Sequence, residues 1–292
     1  MSADASALRF EALRRELPRR SPRAWRFGAL ARASRAGALL SEGLRIGHAH
    51  GFDSGPFMAH VYADEARGRG AIGRALDRRL LDRPTCQAFR DIRALAERAV
   101  LEAIDEAQAL RPGGPVVADL AAGPSPYLLQ ALRRRPQARA VLCDVDPAAL
   151  DQAGAEARAL GVADRVTLRR SDAFDATSLA RLDAPIDVVC ELGLYGIYHD
   201  DGLIEDHLTT LMRTLRPAQL VCNVQVANPE IEYIARVWRN SEGERCVWRL
   251  RSAEQIVGYA RAAGWEPTSI TADRHGIYRV LRLERRAEER AA

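Results

Sequence analysis

The chain lacks lysine: all 43 of its basic residues are arginine. No lysine amine is therefore present to form a Schiff base with a carbonyl substrate, and this type of covalent catalysis is excluded. Long apolar runs are also missing, since no stretch approaches the ~20 residues that a membrane-spanning helix needs. The first residues lack the apolar core of a secretory signal. We therefore expect a cytoplasmic protein, and the arginine- and alanine-rich composition is typical of a GC-rich bacterial genome.

Cysteine is scarce, and its spacing is not that of a set of metal ligands. The five cysteines form no C-x-x-C pair, and three of them fall in runs that we interpret as central strands. This predicts buried free thiols. A single H-x-H pair, His48 and His50, is a weak metal signal, and we assign it to a loop. We predict no metal site. The cysteines are Cys86, Cys143, Cys190, Cys222 and Cys246.

Residues 116–129, VVADLAAGPSPYLL, have the pattern of an apolar strand, a small-residue turn and the start of a helix. Asp119 stands where the strand ends. A second strand, residues 140–143, ends in Asp144, 25 residues after Asp119, and Asp146-Pro147 then begins another helix. This order and spacing predict a βαβ unit that binds a nucleotide cofactor, with an acidic residue on its ribose.

The glycine pattern of the turn separates two classes of cofactor. A nicotinamide or flavin loop has the form G-x-G-x-x-G, whereas this turn contains only Gly123. Hydride transfer is therefore disfavoured, and an NAD-dependent oxidoreductase is kept as the alternative. A third hypothesis is a cofactor-binding module without turnover.

The turn resembles motif I of the class I S-adenosylmethionine-dependent methyltransferases, (D/E)-x-G-x-G-x-G. Here the motif is DLAAGPS, so that Ala121 and Ser125 replace the first and third glycines. The resemblance implies S-adenosyl-L-methionine as cofactor, Asp144 as the ribose-binding acid and Asp172 as the acid near the adenine amine. The implied cofactor-binding residues are Asp119, Ala121, Ala122, Gly123, Asp144, Val145, Asp172, Ala173, Phe174, Glu191 and Leu192.

The alternation of strands and helices continues to the end of the sequence and predicts an α/β fold. We expect a Rossmann-like, doubly wound sheet of the class I methyltransferase type with an N-terminal helical extension. The sheet should be mostly parallel. Two final strands at about 266–272 and 277–284, separated by a polar turn, resemble the antiparallel hairpin that closes such sheets.

We predict three regions: a helical extension and lid (1–110), a catalytic domain (111–285) and a charged tail (286–292). Residues 41–70 contain six glycines between aromatic and histidine residues, which favours an irregular segment that could cover an acceptor. The runs SEGLRIGHAHGFDSG and GRALDRRLLDRP, with DLAAGPSPYLL and RRSDAFD, resemble a bacterial family of methyltransferases whose members can be joined to an α/β-hydrolase domain. This family name implies no substrate.

Loops after the fourth and fifth strands are expected to face the acceptor. The catalytic candidates are His199, as a base, with Tyr195 and Tyr198; the alternative is a solvated turn and packed tyrosines. We predict a small-molecule or lipid-like acceptor methylated on oxygen or nitrogen. Asn228-Pro229-Glu230 departs from the (D/N)-P-P-(F/Y) motif of DNA amino-methyltransferases, so no DNA target is expected. The predicted substrate contacts are Phe52, Asp53, Tyr62 and Asn223.

The first fifty residues are strongly basic, with ten arginines and four acidic residues, although the whole chain has a net charge of only +4. Such a segment could contact nucleic acid, an anionic membrane surface or an acidic substrate. The alternative is an ordinary solvated helix face. We predict at most a weak contact with an anionic surface, and the sequence predicts no oligomeric state.

Overall fold

The computed structural model describes residues 3–111, 113–182 and 185–286. The chain forms two compact units. One comprises the residues up to 91 together with 227–250, and the other comprises 92–226 together with the residues from 251 onward. The predicted boundary at residue 110 coincides with the end of a helix, whereas the compact units divide within that helix. A continuous segment between two strands of the sheet belongs to the first unit. Of the predicted charged tail, only Arg286 lies within the described residues.

The first unit is helical in the part that the structure describes. Several of its helices begin at a serine whose hydroxyl accepts a backbone N–H of the first turn, as Ser21, Ser41 and Ser54 do. Its helices, numbered along the whole chain, are α1 (Ala3–Arg14), α2 (Pro22–Gly37), α3 (Glu42–His50), α4 (Gly55–Ala63), α5 (Gly70–Leu81), the start of α6 (Pro84–Leu110), and α11 (Ile231–Val237).

The prediction of an irregular segment over residues 41–70 is wrong, because α3 and α4 form most of it. Its glycines allow close packing of helices. A Cβ atom on Gly47 would lie 2.4 Å from the ring of Phe52, and one on Gly43 would lie 2.8 Å from the ring of His60. The ring of Phe52 is fully buried and stacks on Trp238, with centroids 4.7 Å apart. The segment therefore supplies core residues of the first unit.

A buried carboxylate connects three parts of the first unit. Asp77, on α5, accepts hydrogen bonds from the hydroxyl of Ser41 (2.6 Å) and the N–H groups of Gly43 (2.7 Å) and Arg67 (2.9 Å). Its Oδ2 also lies 3.1 Å from Nε2 of His60. Burial raises the pKa of Asp77, but the hydrogen bonds from His60, Ser41 and the two amides outweigh it and hold that pKa well below its usual value.

The second unit contains a seven-stranded sheet with the strand order β3-β2-β1-β4-β5-β7-β6. Strands β1 to β5 are parallel, and β7 pairs antiparallel with both β5 and β6. This confirms the predicted fold class, including the reversed C-terminal strand. The strands are β1 (Val116–Asp119), β2 (Arg139–Asp144), β3 (Val166–Arg170), β4 (Val188–Glu191), β5 (Gln219–Gln225), β6 (Trp265–Ala272) and β7 (Tyr278–Arg285).

The helices of the second unit follow the strands, as the βαβ pattern requires. Most residues of β1, β2, β4 and β5 are buried, because helices cover both faces of a parallel sheet. Within the described ranges, no helix is long and apolar enough to cross a membrane. The helices are the remainder of α6, α7 (Pro126–Arg134), α8 (Pro147–Ala159), α9 (Ala176–Ala180), α10 (Asp201–Thr214) and α12 (Ala253–Ala262), with a single 3-10 turn at Ala163–Arg165.

Candidate active site

Asp119 lies at the carboxyl end of β1 and is held by the helix that follows. Its Oδ2 accepts hydrogen bonds from the hydroxyls of Ser125 and Tyr127, both at 2.6 Å. Ser125 takes a left-handed conformation with φ of 42°, in a position where the related motif has a glycine. The strain of this conformation is offset by the hydrogen bond that Ser125 donates to Asp119 and that a glycine could not donate.

The Asp119 carboxylate has unused capacity to accept hydrogen bonds. Asp119 is fully buried, and its Oδ1 makes no hydrogen bond of ordinary geometry with any described residue. Burial raises the pKa of Asp119 to about 6, although the hydroxyls of Ser125 and Tyr127 and the nearby N–H of Ala121 oppose this rise. A cation placed at Oδ1 would therefore be strongly favoured.

Asp144, at the end of β2, connects the turns after the first two strands. Its Oδ2 accepts the N–H of Gly123 at 2.8 Å, and its Oδ1 accepts the N–H of Asp146 at 2.9 Å. Each carboxylate oxygen can accept a further hydrogen bond. Gly123 has φ of +49°, and a Cβ atom built on it would meet nothing within 4 Å. The turn after β1 therefore faces open space beside an acid with free lone pairs.

The loop after β3 brings an acidic and an aromatic side chain to the same edge of the sheet. The exposed Asp172 caps the N–H of Phe174 at 2.9 Å. The ring of Phe174 packs against Tyr198, with centroids 4.4 Å apart. Burial and the charges of Asp172 and Asp144 raise the pKa of Tyr198. Tyr198, predicted to face the acceptor, thus lies beside the predicted cofactor residues.

Glu191, at the end of β4, forms a fully buried cluster with an aromatic and a histidine side chain. Its Oε2 accepts the Tyr195 hydroxyl and its Oε1 lies beside Nε2 of His207, each at 2.6 Å. Burial, followed by the charge of Glu191, raises the pKa of Tyr195 well above its usual value. Tyr195 therefore does not face an acceptor as predicted, because its hydroxyl is buried and committed to Glu191. The ring of His207 packs on Phe174, with centroids 4.6 Å apart.

Asn223 and a buried arginine fix the loop that follows β4. Oδ1 of Asn223 accepts the N–H of Gly193 at 2.7 Å, so the predicted substrate residue orients the loop instead. The guanidinium of Arg251 donates to Oδ1 of Asp201 at 2.7 Å and to the carbonyl oxygen of Tyr195. Between these anchors, Gly193 and Gly196 face open space, since a Cβ atom on either would meet nothing within 4 Å.

The structure brings most of the predicted cofactor residues together at one edge of the second unit. They lie in the turns after β1 to β4. Val145 is 57% exposed, and Leu192 is half-buried. The exposed His199 lies in the loop before α10. Three predicted substrate residues belong to the first unit, where Phe52 is a core residue and Asp53 accepts the N–H of Ser241 at 2.8 Å; Tyr62 is half-buried on α4.

Sequence reasoning missed the partners that hold the predicted acids. Ser125 and Tyr127 are close to Asp119 along the chain, and their spacing at the start of α7 is a signal that could have been used. His207 lies 16 residues from Glu191 and Arg251 lies 50 residues from Asp201. No local pattern marks these pairs, because the sheet and its helices bring them together.

The residues present fit the cofactor that the motif implies. S-adenosylmethionine carries an amine, a positively charged sulfur, two ribose hydroxyls and an adenine ring. The buried Oδ1 of Asp119 suits a cation, Asp144 can accept ribose hydroxyls, and Phe174 offers an aromatic surface beside Asp172. Ser171 adds a buried hydroxyl at the end of β3 that has no partner among the described residues. These side chains therefore suit the amine, the ribose hydroxyls and the adenine ring of the cofactor.

Two solved structures with a similar fold illustrate the likeness. A possible exported protein from Bordetella parapertussis has 19% sequence identity and a TM-score of 0.68, over 98% of each chain. The magnesium protoporphyrin IX methyltransferase of Synechocystis PCC 6803, solved with bound SAH, has 12% identity and a TM-score of 0.55. That match covers 82% of this chain and 98% of the other. At these identities the matches show a shared fold.

Sequence comparison provides the family. The "Uncharacterized protein YnbC" of Escherichia coli (strain K12) is 28% identical over 253 residues, which are 84% of this chain and 42% of that protein. The chain spans about half the length of the curated relatives that it matches. A family model described as "Putative methyltransferase" matches residues 2–285. The strand order, the acids at the ends of β1 to β3 and this match lead to one conclusion: the chain belongs to that methyltransferase family.

Proposed function

We propose that this protein transfers a methyl group from S-adenosylmethionine to a small-molecule or lipid-like acceptor, on oxygen or nitrogen. The observation that carries the proposal is the arrangement of Asp119, Asp144 and Asp172 at the carboxyl ends of β1, β2 and β3. Ligands of open α/β sheets bind at this edge. Membership of the methyltransferase family and the likeness to a methyltransferase solved with SAH support it.

In this proposal the cofactor spans the turns after β1 to β4. Oδ1 of Asp119 holds the amine of the methionine part, and Asp144 accepts the ribose hydroxyls while keeping the turn of Gly123 in place. Asp172, Ala173 and Phe174 would border the adenine ring, and Tyr198 packs against Phe174. Ala121, Ala122, Val145 and Leu192 contribute backbone groups and small apolar surfaces around it.

The bound cofactor supplies a methyl group on a positively charged sulfur, and that charge disappears as the methyl group leaves. Catalysis then depends chiefly on aligning the acceptor atom with the methyl group. The loop of residues 192–200 is suited to orient an acceptor, because Gly193 and Gly196 leave open space and Asn223 fixes its backbone. We propose the exposed His199 as the group that removes a proton from a hydroxyl or amine acceptor.

The acceptor is proposed to be small or lipid-like, and DNA is not proposed as a target. The likeness to a methyltransferase of magnesium protoporphyrin IX favours a small molecule with apolar surface. We also propose that the protein resides in the cytoplasm. All five cysteines are free and buried, which suits a reducing compartment.

Calorimetric titration of the full chain with S-adenosylmethionine, S-adenosylhomocysteine and NAD in parallel tests the cofactor. We expect binding of the first two only. Binding of NAD alone, or no binding of any at millimolar concentration, would overturn the proposal. Transfer of labelled methyl groups to a panel of metabolites and a lipid extract then tests turnover, and His199→Ala should lower kcat without changing the dissociation constant of the cofactor. Cofactor binding with no transfer to any acceptor would favour a binding module.

A further inference from the structure

Helix α2 has one face packed in the first unit and an exposed side that carries a tryptophan, alanines and arginines. Phe27 and Ser34 on the packed face are buried. Trp25 is 65% exposed, and the residues that follow it on the same side at helical spacing, Ala29, Ala33 and Ala36, are exposed as well. Surfaces of this kind on one chain commonly mark contact sites.

A second group of exposed apolar side chains lies where the end of α2 meets the start of α5. The N–H of Arg69 donates to the carbonyl oxygen of Leu40 at 2.7 Å, which fixes the two segments side by side. Leu39 is 72% exposed at this junction, and Ile72 is 70% exposed. Two large aliphatic side chains therefore project into solvent from a rigid, hydrogen-bonded corner.

The charged side chains of α2 itself have one sign. Helix α2 contains four arginines and no acidic residue. Only Arg23 is in an ion pair, with Glu232 at 2.5 Å. Arg26 lies over the ring of its neighbour Phe27, and Arg32 and Arg35 form no ion pair within the ranges that the structure describes. Arginines without an ion-pair partner can bind anionic groups, and exposed apolar side chains can enter an apolar layer. Together they are complementary to a surface that is anionic and has an apolar interior.

We propose that this surface, formed by the exposed side of α2 and its junction with α5, binds an anionic phospholipid membrane. Trp25, Leu39 and Ile72 insert among the lipid headgroups and upper acyl chains, while Arg26, Arg32 and Arg35 contact the phosphate groups. A nucleic acid would satisfy the arginines but would leave the aliphatic side chains in water, so the combination favours a lipid surface. The proposal is independent of methyl transfer.

Co-sedimentation of the full chain with vesicles is the test, using phosphatidylcholine alone and phosphatidylcholine mixed with phosphatidylglycerol. We expect binding to the anionic vesicles only, weakened by salt because surface charges are screened. The variants R26E/R32E/R35E and W25S/L39S/I72S should each weaken binding roughly tenfold or more. The emission of Trp25, obtained by comparison with Trp25→Phe, should shift to shorter wavelength when vesicles are added.

Two control variants make the same chemical changes on the second unit. R133E/R158E/R213E changes the net charge equally at exposed positions, and L110S/I270S removes exposed apolar side chains. Both should bind anionic vesicles like the unchanged chain. Equal weakening by the control and test variants would overturn the proposal. So would binding to RNA or DNA that exceeds vesicle binding and that is lost in R26E/R32E/R35E but retained in W25S/L39S/I72S.

Discussion

The carboxylate of Glu191 lies 2.6 Å from Nε2 of His207, and neither side chain is accessible to solvent. Removing one partner leaves the other buried without its hydrogen-bonding partner. Replacing both with apolar side chains leaves no buried polar group that requires a partner. We expect His207→Leu and Glu191→Leu each to lower the free energy of unfolding by roughly 3–5 kcal/mol, and the double variant to lower it much less than the sum.

Urea denaturation of the unchanged protein, the two single variants and the double variant gives the four unfolding free energies of a double-mutant cycle. Single variants that are as stable as the unchanged protein, or a strictly additive double variant, would show that the pair contributes no coupling. Because Tyr195 also donates to Glu191, a Tyr195→Phe variant serves as the matched control for loss of only one hydrogen bond. It should cost about 1 kcal/mol.

Asp144→Ala should weaken binding of S-adenosylmethionine by about 1.5–3 kcal/mol, since it removes the acceptor of the ribose hydroxyls and the support of Gly123. Asp146→Ala is the control. Its side chain caps the N–H of Ala148 at 2.9 Å, and its own N–H still donates to Asp144. It should cost about 1 kcal/mol of stability and leave affinity unchanged. Equal losses of affinity in both variants would exclude Asp144 from the cofactor site.

Asp119 predicts opposite pH dependences for affinity and stability. Burial raises its pKa to about 6, so the folded protein holds this proton more tightly than the unfolded chain, and the contribution to stability falls as pH rises through that value. A bound cation favours the carboxylate, so S-adenosylmethionine should bind more tightly as pH rises from about 5 to about 7. Calorimetry and thermal melts across this range measure both trends, and Asp119→Asn should flatten both. If the affinity for S-adenosylmethionine did not depend on pH, Asp119 would not be the residue that binds its amine.

Asp77 should make the first unit sensitive to acid. Its pKa is held well below the usual value, so the stability that it contributes is present above about pH 4 and is lost as pH falls toward its pKa in the folded protein. Asp77→Ala should cost roughly 3–5 kcal/mol and shift the acid transition. The control Asp82→Ala removes only an exposed ion pair with Arg78 and should cost less than about 1 kcal/mol. Similar acid transitions in both variants would contradict this assignment.

Two tryptophans of the first unit, one buried and one exposed, give a further contrast. Trp238 is fully buried and stacked on Phe52, whereas Trp25 is 65% exposed. Trp238→Ala should destabilise the protein by roughly 3–5 kcal/mol, and Trp25→Ala should change its stability by less than about 0.5 kcal/mol. Thermal unfolding followed by circular dichroism compares them. A small loss of stability in Trp238→Ala would mean that the neighbouring aromatic side chains rearrange to fill the space left by the indole.

The strands and the acids that end them could be predicted from the sequence because each is a local signal. An apolar run followed by Asp119 or Asp144 marks a strand and its carboxyl end without knowledge of its neighbours. The fold of the first unit is harder to predict from the sequence. Glycine-rich composition suggested an irregular segment, but Gly43 and Gly47 lie in helices whose neighbours need that space. Only the packing of Phe52 on Trp238 shows that these aromatics form a core.

Side-chain roles that depend on distant partners could not be predicted either. The position of Tyr195 after β4 predicts that it faces an acceptor, yet its hydroxyl donates to the buried Glu191, which also contacts His207. The same holds for Asn223, whose amide oxygen is used by Gly193. Position along a strand predicts which edge a residue lies on. Position along a strand does not predict whether the polar group of a residue already forms a hydrogen bond within the protein.

The stacking of Phe52 on Trp238 also determines the order in which the chain can fold during synthesis. The ribosome adds Trp238 186 residues after Phe52, and strands β1 to β5 are made in between. At about 5–20 residues per second, Phe52 waits roughly 10–40 s for its partner. Helices α3 and α4 thus complete their aromatic core only after strand β5 has been synthesised, and until then Phe52 and Phe57 lack Trp238 as a partner.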